Sequence, residues 1–365
     1  MEIREERPLN KKAIFAFLLA SCIIAAFFAY LYIDLNRKLE AISVVSGIFG
    51  SSPRSPLEIY DEVKDSIVLI EKRENSSQGM ITKSICSGFI FDKNHILTVY
   101  NLTANADEIR VVFNNKTKIK AKIQGFDKYS NLAVLEISEN ITIIQSPLLL
   151  GESEGLHLEE KIHIVTKACG TNTLLISGEV NGLGLPLWLK EEFPLVDAMA
   201  FSARVLSSEM LGAPLLNSRG EAIGMIVDLG NITTLGYAIS SKMMKRIASS
   251  IIKYGEYEHL WLKGVSGVDM TPEIARTMNI NFTAGFLVTG VDPNVLSELE
   301  ADEKLQAGDI IIQINSEKVS GMYDIVAYLE ENRESSVELT VMRDGEVLKE
   351  PIIWPVDVFS PQSSD

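Results

Sequence analysis

At 365 residues with a formal net charge of −15, the chain has room for two or three domains with cores of their own. The acidic balance, 49 Asp and Glu against 34 Lys and Arg, argues against a nucleic-acid partner, since phosphate binding needs clustered cations that release counterions. Three cysteines and four histidines show no ligand spacing, so no metal and no cofactor is expected.

In chain order, residues 1–12 carry Arg4, Arg7, Lys11 and Lys12 and precede the uncharged apolar run Ala13–Ile33. At about 1.5 Å per residue that run is long enough to cross a hydrocarbon core of about 30 Å as one transmembrane helix. The basic excess before it predicts a cytoplasmic amino terminus and extracytoplasmic main domains. The run is long for a signal-peptide core, and the bulky Tyr30-Leu31-Tyr32-Ile33 offers no cleavage site, so an uncleaved single-pass anchor is expected. Residues 34–56 read as a linker, ending in the Gly-, Ser- and Pro-rich Gly47–Pro56. Six Asn-x-Ser/Thr sequons follow the span, at Asn75, Asn101, Asn115, Asn140, Asn231 and Asn281, and together favour a glycosylating compartment. Asn101 is expected to be too buried for modification. Cys86 and Cys169 either pair in an oxidising space or remain buried thiols.

Leu57–Val63 predicts a short helix, after which the pattern turns to short β runs. Ser66–Glu71, Met80–Ser84, Gly88–Phe91, Ile96–Thr98, Glu108–Phe113, Lys118–Phe126 and Ala133–Ile137 come first. Lys161–Thr166, Leu174–Val180, Leu215–Leu216, Ala222–Asp228 and Thr234–Ala238 complete them, a density that predicts a barrel or sandwich pair. Met243–Tyr254 is an amphipathic helix closing this domain, which spans 57–254.

Three phrases carry a resemblance. Ser87-Gly88-Phe89-Ile90-Phe91 with Ile96-Leu97-Thr98 is the first, and Gly125-Phe126-Asp127 through Asn131-Leu132-Ala133-Val134-Leu135 is the second. The third is Leu211-Gly212-Ala213-Pro214-Leu215, then Gly236-Tyr237-Ala238-Ile239. In this order they resemble the protease domain of the HtrA family, whose third phrase reads Gly-Asn-Ser-Gly-Gly-Pro-Leu. The resemblance implies a mainly β, trypsin-like double β-barrel. It places the catalytic histidine at Asn101, the aspartate at Asn131, the serine at Leu211, and an oxyanion-hole glycine at Glu209. An amide does not ionise near neutral pH and a leucine has no nucleophile, so the acyl-transfer constellation is vacant. The two asparagines are expected to hydrogen-bond each other. None of His95, His157, His163 and His259 occupies the base position, and Ser207 and Ser208 lack the following Gly-Gly.

Residues 255–355 resemble an HtrA-type PDZ domain (α+β), followed by a tail, 356–365. Gly255–Leu260 serves as the link. The carrying phrases are Leu262-Lys263-Gly264-Val265, Gly285-Phe286-Leu287-Val288 and Gly308-Asp309-Ile310-Ile311-Ile312-Gln313-Ile314-Asn315. Such a domain adds a ligand's carboxy-terminal strand to its free edge and meets the carboxylate with backbone N–H groups. Here Lys263, Gly264 and Val265 are the expected donors, Ser266 opens the edge strand, and Leu262, Val265, Ile325 and Leu329 form the side-chain pocket. The expectation is a membrane-anchored pseudoprotease holding protein carboxy-terminal peptides or unfolded proteins. The resemblance also implies a homotrimer. Its rivals are an active serine-type endopeptidase with a rearranged site and a regulatory subunit assembled with active homologues.

Overall fold

The computed structural model describes residues 54–359 apart from 78, 138–145, 170–171, 190–192, 231–233 and 300–303. The expected anchor Ala13–Ile33 lies outside them. Among the described residues no helix is long and apolar enough to cross a membrane.

Ser55 caps helix α1 (Pro56–Val63): its hydroxyl accepts from Glu58 N–H while the Glu58 carboxylate reaches back to the Ser55 N–H. Ile59 and Val63 bury its inner face. Six strands then close the first barrel: β1 (Ile67–Ser76), β2 (Gly79–Ile90), β3 (His95–Val99), β4 (Glu108–Val112), β5 (Lys118–Asp127) and β6 (Leu132–Glu136), in the order β1-β2-β3-β6-β5-β4. The two runs expected at Met80–Ser84 and Gly88–Phe91 are one continuous strand, because β1 pairs along its whole length with a single register shift at Lys72/Arg73.

The second barrel has the order β10-β11-β12-β9-β8-β7. Its strands are β7 (Lys161–Cys169), β8 (Asn172–Leu187), β9 (Leu195–Ala203), β10 (Pro214–Leu216), β11 (Ala222–Leu229) and β12 (Leu235–Ser240). Strand β9 is an addition to the sequence reading.

Helix α2 (Ser241–Tyr254) follows, its first turn capped by Ser240 and its end closed by Gly255 at φ 90°. Met243, Met244, Ile247, Ala248 and Ile251 repeat at helical spacing and are all buried. They share one cluster with Leu132 and Val134 of the first barrel and Leu216, Met225 and Val227 of the second, so α2 ties the barrels together.

The third sheet has the order β13-β20-β18-β16-β15-β14. Its strands are β13 (His259–Leu262), β14 (Val265–Asp269), β15 (Phe286–Val291), β16 (Ile310–Ile314), β18 (Ser336–Arg343) and β20 (Ile352–Phe359), with short β17 (Glu317–Lys318) on β16 and β19 (Glu346–Val347) on β18. Helices α3 (Pro272–Met278), α4 (Pro293–Glu298) and α5 (Met322–Asn332) complete the domain. Two boundaries change. His259–Leu262 is a strand rather than a link, and residues 356–359 belong to β20, where Leu262 pairs with Val356 and Leu260 with Val358.

Helix α5 serves two cores. Ile325 and Leu329 lie in the cluster of the third sheet, while Val326 belongs to the cluster that holds the barrels and α2. Truncating Ile247, fully buried where α2 bridges the barrels, is expected to destabilise the fold by about 2–5 kcal/mol through lost transfer energy plus a cavity. A lowered denaturant midpoint for Ile247→Ala with an unchanged slope is the readout.

Candidate functional site

Residues 207–217 are stitched to the first barrel through Ser87. Its N–H donates to the Leu211 carbonyl at 3.0 Å, and its hydroxyl donates to the Glu209 carbonyl at 3.1 Å and sits 2.7 Å from Thr166 Oγ1. Thr98 Oγ1 donates to the Ser87 carbonyl at 2.8 Å. Gly212, at φ 83°, has to be glycine: a Cβ there would stand 2.2 Å from the Ser87 carbonyl oxygen. The backbone of this turn is therefore held tightly although position 211 carries no nucleophile.

Ser208–Met210 forms a single 3-10 turn, and Leu211 follows with its side chain 6 % exposed in the cluster that includes Cys86, Ile164, Leu215 and Ile226. It fills core. Asn131, at φ 58°, is buried and bridges the barrels: its Oδ1 accepts from Asn101 N–H at 2.8 Å and its Nδ2 donates to the Val227 carbonyl at 2.8 Å. The expected link between the two asparagines is thus made by the main chain of Asn101. The Asn101 side chain is exposed, which reverses the expectation that this sequon is buried. Residues Asn75, Asn115 and Asn281 are exposed as well, whereas Asn140 and Asn231 lie outside the described residues.

No imidazole reaches this cleft among the described residues. His95 Nδ1 lies 2.7 Å from Asp92 Oδ1, and His157 is exposed. His163 is buried, its Nδ1 3.1 Å from Ser177 Oγ, on the β7–β8 pair. Burial and the Lys161 charge hold this ring below the ordinary histidine value. No carboxylate among the described residues bonds its other nitrogen, so the pair lacks the third group that orients a base. No group of three or more His, Cys, Asp and Glu among the described residues is placed to hold a metal ion. Cys86 is a free, buried thiol, pushed up to about 12 by burial. Lys167, buried and brought down to about 8 by desolvation, donates to Asn114 Oδ1 and Thr173 Oγ1, each at 2.6 Å.

The residues expected to line a peptide groove come together but are covered. Strand β14 ends its sheet, so one edge pairs with no strand among the described residues. Leu262, Val265, Ile325 and Leu329 do converge, yet none is more than 5 % exposed. Ser266 is exposed and Gly264, at φ 66°, makes the tight loop. Lys263 departs from its expected role as carboxylate donor, because its N–H already donates to the Pro355 carbonyl at 3.0 Å. Its ammonium pairs with Glu298 at 2.8 Å.

Residues 86–225 match the family of the trypsin-like peptidase domain, and residues 288–343 match a PDZ domain family. Over 287 residues the chain is 28% identical to the periplasmic serine endoprotease DegP of Salmonella typhimurium, covering 75% of this chain and 57% of that protein. It is 26% identical over 300 residues to the periplasmic pH-dependent serine endoprotease DegQ of Escherichia coli, covering 80% of this chain and 62% of that one. The chain belongs to the HtrA family. It spans somewhat over half the length of these relatives. A solved structure described as the HtrA-type protease AlgW with decapeptide shares its fold at a TM-score of 0.71 and 21% identity, covering 84% of this chain and 99% of that one.

What sequence reasoning missed is the charged seam between the barrels and the PDZ domain. His259 Nε2 lies 2.9 Å from Asp127 Oδ1, at the end of β5, and its Nδ1 lies 3.3 Å from Glu330 Oε1 on α5. All three are at most 4 % exposed. Burial alone disfavours a charged ring, but the two carboxylates outweigh it and raise His259 to about 9. Because the folded value lies above the unfolded 6.5, this stabilisation is fully present below about pH 6.5 and is lost as pH rises through about 9. At pH 7 the wild type should therefore melt above His259→Gln, and the gap in melting temperature should close as pH is taken through about 9.

Proposed function

We propose that this chain is a membrane-anchored, extracytoplasmic HtrA-type pseudoprotease that grips protein carboxy-terminal tails or unfolded segments through its PDZ domain. One observation carries the reading: no triad position presents a nucleophile, a base or a carboxylate to the cleft. Leu211 fills core, the Asn131 amide joins the two barrels, and Asn101 turns outward. Hydrolysis needs a nucleophile, a base near pKa 7 and an orienting carboxylate, and each is absent from these positions.

The apolar run Ala13–Ile33 supports anchoring, and the two relatives described as periplasmic support the extracytoplasmic side. The open edge of β14 and the apolar residues behind it support tail capture by strand addition. Assembly as a homotrimer, or with active homologues, belongs to the same reading.

The test uses purified full-length protein with unfolded casein and a serine-reactive fluorophosphonate. Neither labelling nor steady cleavage is expected. Leu211→Ser alone should stay equally silent, since it restores a hydroxyl while Asn101 and Asn131 still supply neither a base nor a carboxylate. Labelling of the wild type would overturn the proposal and favour an endopeptidase with a rearranged site.

A further inference from the structure

The register of β14 shows which of its backbone groups a ligand would meet. Asp292 N–H donates to the Gly264 carbonyl at 2.9 Å, and Met270 N–H donates to the Gly285 carbonyl at 2.9 Å. Hydrogen-bonded and non-bonded pairs alternate along an antiparallel ladder. With Val265 opposite Val291 and the bulge at Ser266/Gly267, the polar groups of Val265, Gly267 and Asp269 therefore face the open edge.

One of these positions is already taken. The indole Nε1 of Trp261 donates to the Val265 carbonyl at 2.8 Å. Its ring stands edge-on to Phe286, with centroids 5.5 Å apart, and edge-on to Phe193 at 6.4 Å. Phe286 in turn lies beneath β14: a Cβ on Gly267 would come within 2.5 Å of its ring. Asp269 closes the far end, its Oδ1 accepting from Met322 N–H at 2.6 Å at the start of α5.

A peptide tail added antiparallel to β14, with its carboxylate on the amides of Gly264 and Val265, would place its last N–H opposite the Val265 carbonyl. That carbonyl is where the indole now bonds. We propose that Trp261 is a built-in plug of the PDZ groove, occupying the place of the ligand's terminal residue, and that tails ending in an apolar residue bind only when the indole swings out. The apolar character of the tail follows from the cluster that includes Leu262, Val265, Ile325 and Leu329, against which the indole packs.

This rests on tail capture being the domain's work, and the two are separable by experiment. Fluorescent peptides with free or amidated carboxy termini are titrated into full-length wild type, Trp261→Ala and Trp261→Phe, and amide hydrogen exchange is followed over Val265–Asp269. Removing the plug raises the competent fraction, so Trp261→Ala should bind free-carboxylate peptides about tenfold tighter or more, with amidated peptides silent. Trp261→Phe keeps a ring but loses the donor, and should fall between. Exchange in β14 should quicken in the same order, and near-ultraviolet circular dichroism checks that both variants fold. Equal affinities and equal exchange in all three proteins would overturn the plug while leaving tail capture intact. Quickened exchange with no peptide bound by any of the three would end the tail-capture reading and the plug with it. If Trp261→Ala fails to fold, unchanged exchange and affinity in Trp261→Phe overturn the plug.

Discussion

Two carboxylates from different domains, Asp127 and Glu330, are buried within bonding reach of one imidazole. An isolated buried carboxylate is costly, and two facing each other would be worse, so the packing of α5 against the barrels depends on His259 carrying its proton. Further donors reach Glu330 Oε2 and Asp127. Tyr257 OH donates to Glu330 Oε2 at 2.5 Å, Arg333 reaches the same oxygen at 3.0 Å, and the N–H groups of Tyr129 and Ser130 donate to Asp127. Arg246, on α2, donates to the Glu330 main-chain carbonyl and lies 3.9 Å from its carboxylate. The edges of Tyr129, Tyr257 and Phe193 wall the ring off from water. What joins the domains is a neutralised charge cluster inside an aromatic box, and it leaves little freedom for a rigid shift of one against the other.

The same economy of packing explains how residues 207–217 keep their shape with leucine at position 211. The turn at Gly212 is held by the close approach of the Ser87 carbonyl, a constraint on backbone that is indifferent to the side chain one residue earlier. A buried position next to Ile164 and Ile226 suits the apolar side chain of Leu211. At position 131 the argument is sharper. The side chain must accept from Asn101 N–H and donate to the Val227 carbonyl, and an amide does both, whereas an ionised aspartate would set an oxygen against that carbonyl.

Periodicity and turn chemistry made most of the fold readable. The short helix at Leu57–Val63, the β runs of both barrels and the apolar stripe of α2 are local patterns, and each appears where its residues put it. Strand β9 was not readable, because Leu195–Ala203 is buried at most positions and offers Ala and Met in place of β-branched alternation. The break expected within β2 fell at Ile85-Cys86-Ser87, where Cys86 and Ser87 are buried and the strand runs on because β1 pairs with it throughout. For the site, the residues at positions 101, 131 and 211 could be read from phrases, but the side-chain directions could not. Whether Asn101 points in or out, and whether Lys263 N–H is taken by Pro355, are decided by contacts distant in sequence. His259 carried only the signal of an isolated histidine; its two carboxylates lie 132 and 71 residues away along the chain.

These constraints bear on how the groove can open. Helix α5 lines it with Ile325 and Leu329, packs Val326 into the barrel cluster and carries Glu330 to His259. Tyr323 OH adds a bond to the Gly184 carbonyl at 2.7 Å. Moving the helix outward would draw a carboxylate away from its buried imidazolium and break the barrel contact at once, a cost of about 3–5 kcal/mol from the charge alone. Rotating the indole of Trp261 breaks one hydrogen bond, of order 1 kcal/mol, and uncovers part of an aromatic face that an incoming apolar residue would cover again. With the helix pinned by the charge cluster, side-chain exchange at Trp261 is the less costly route into the groove.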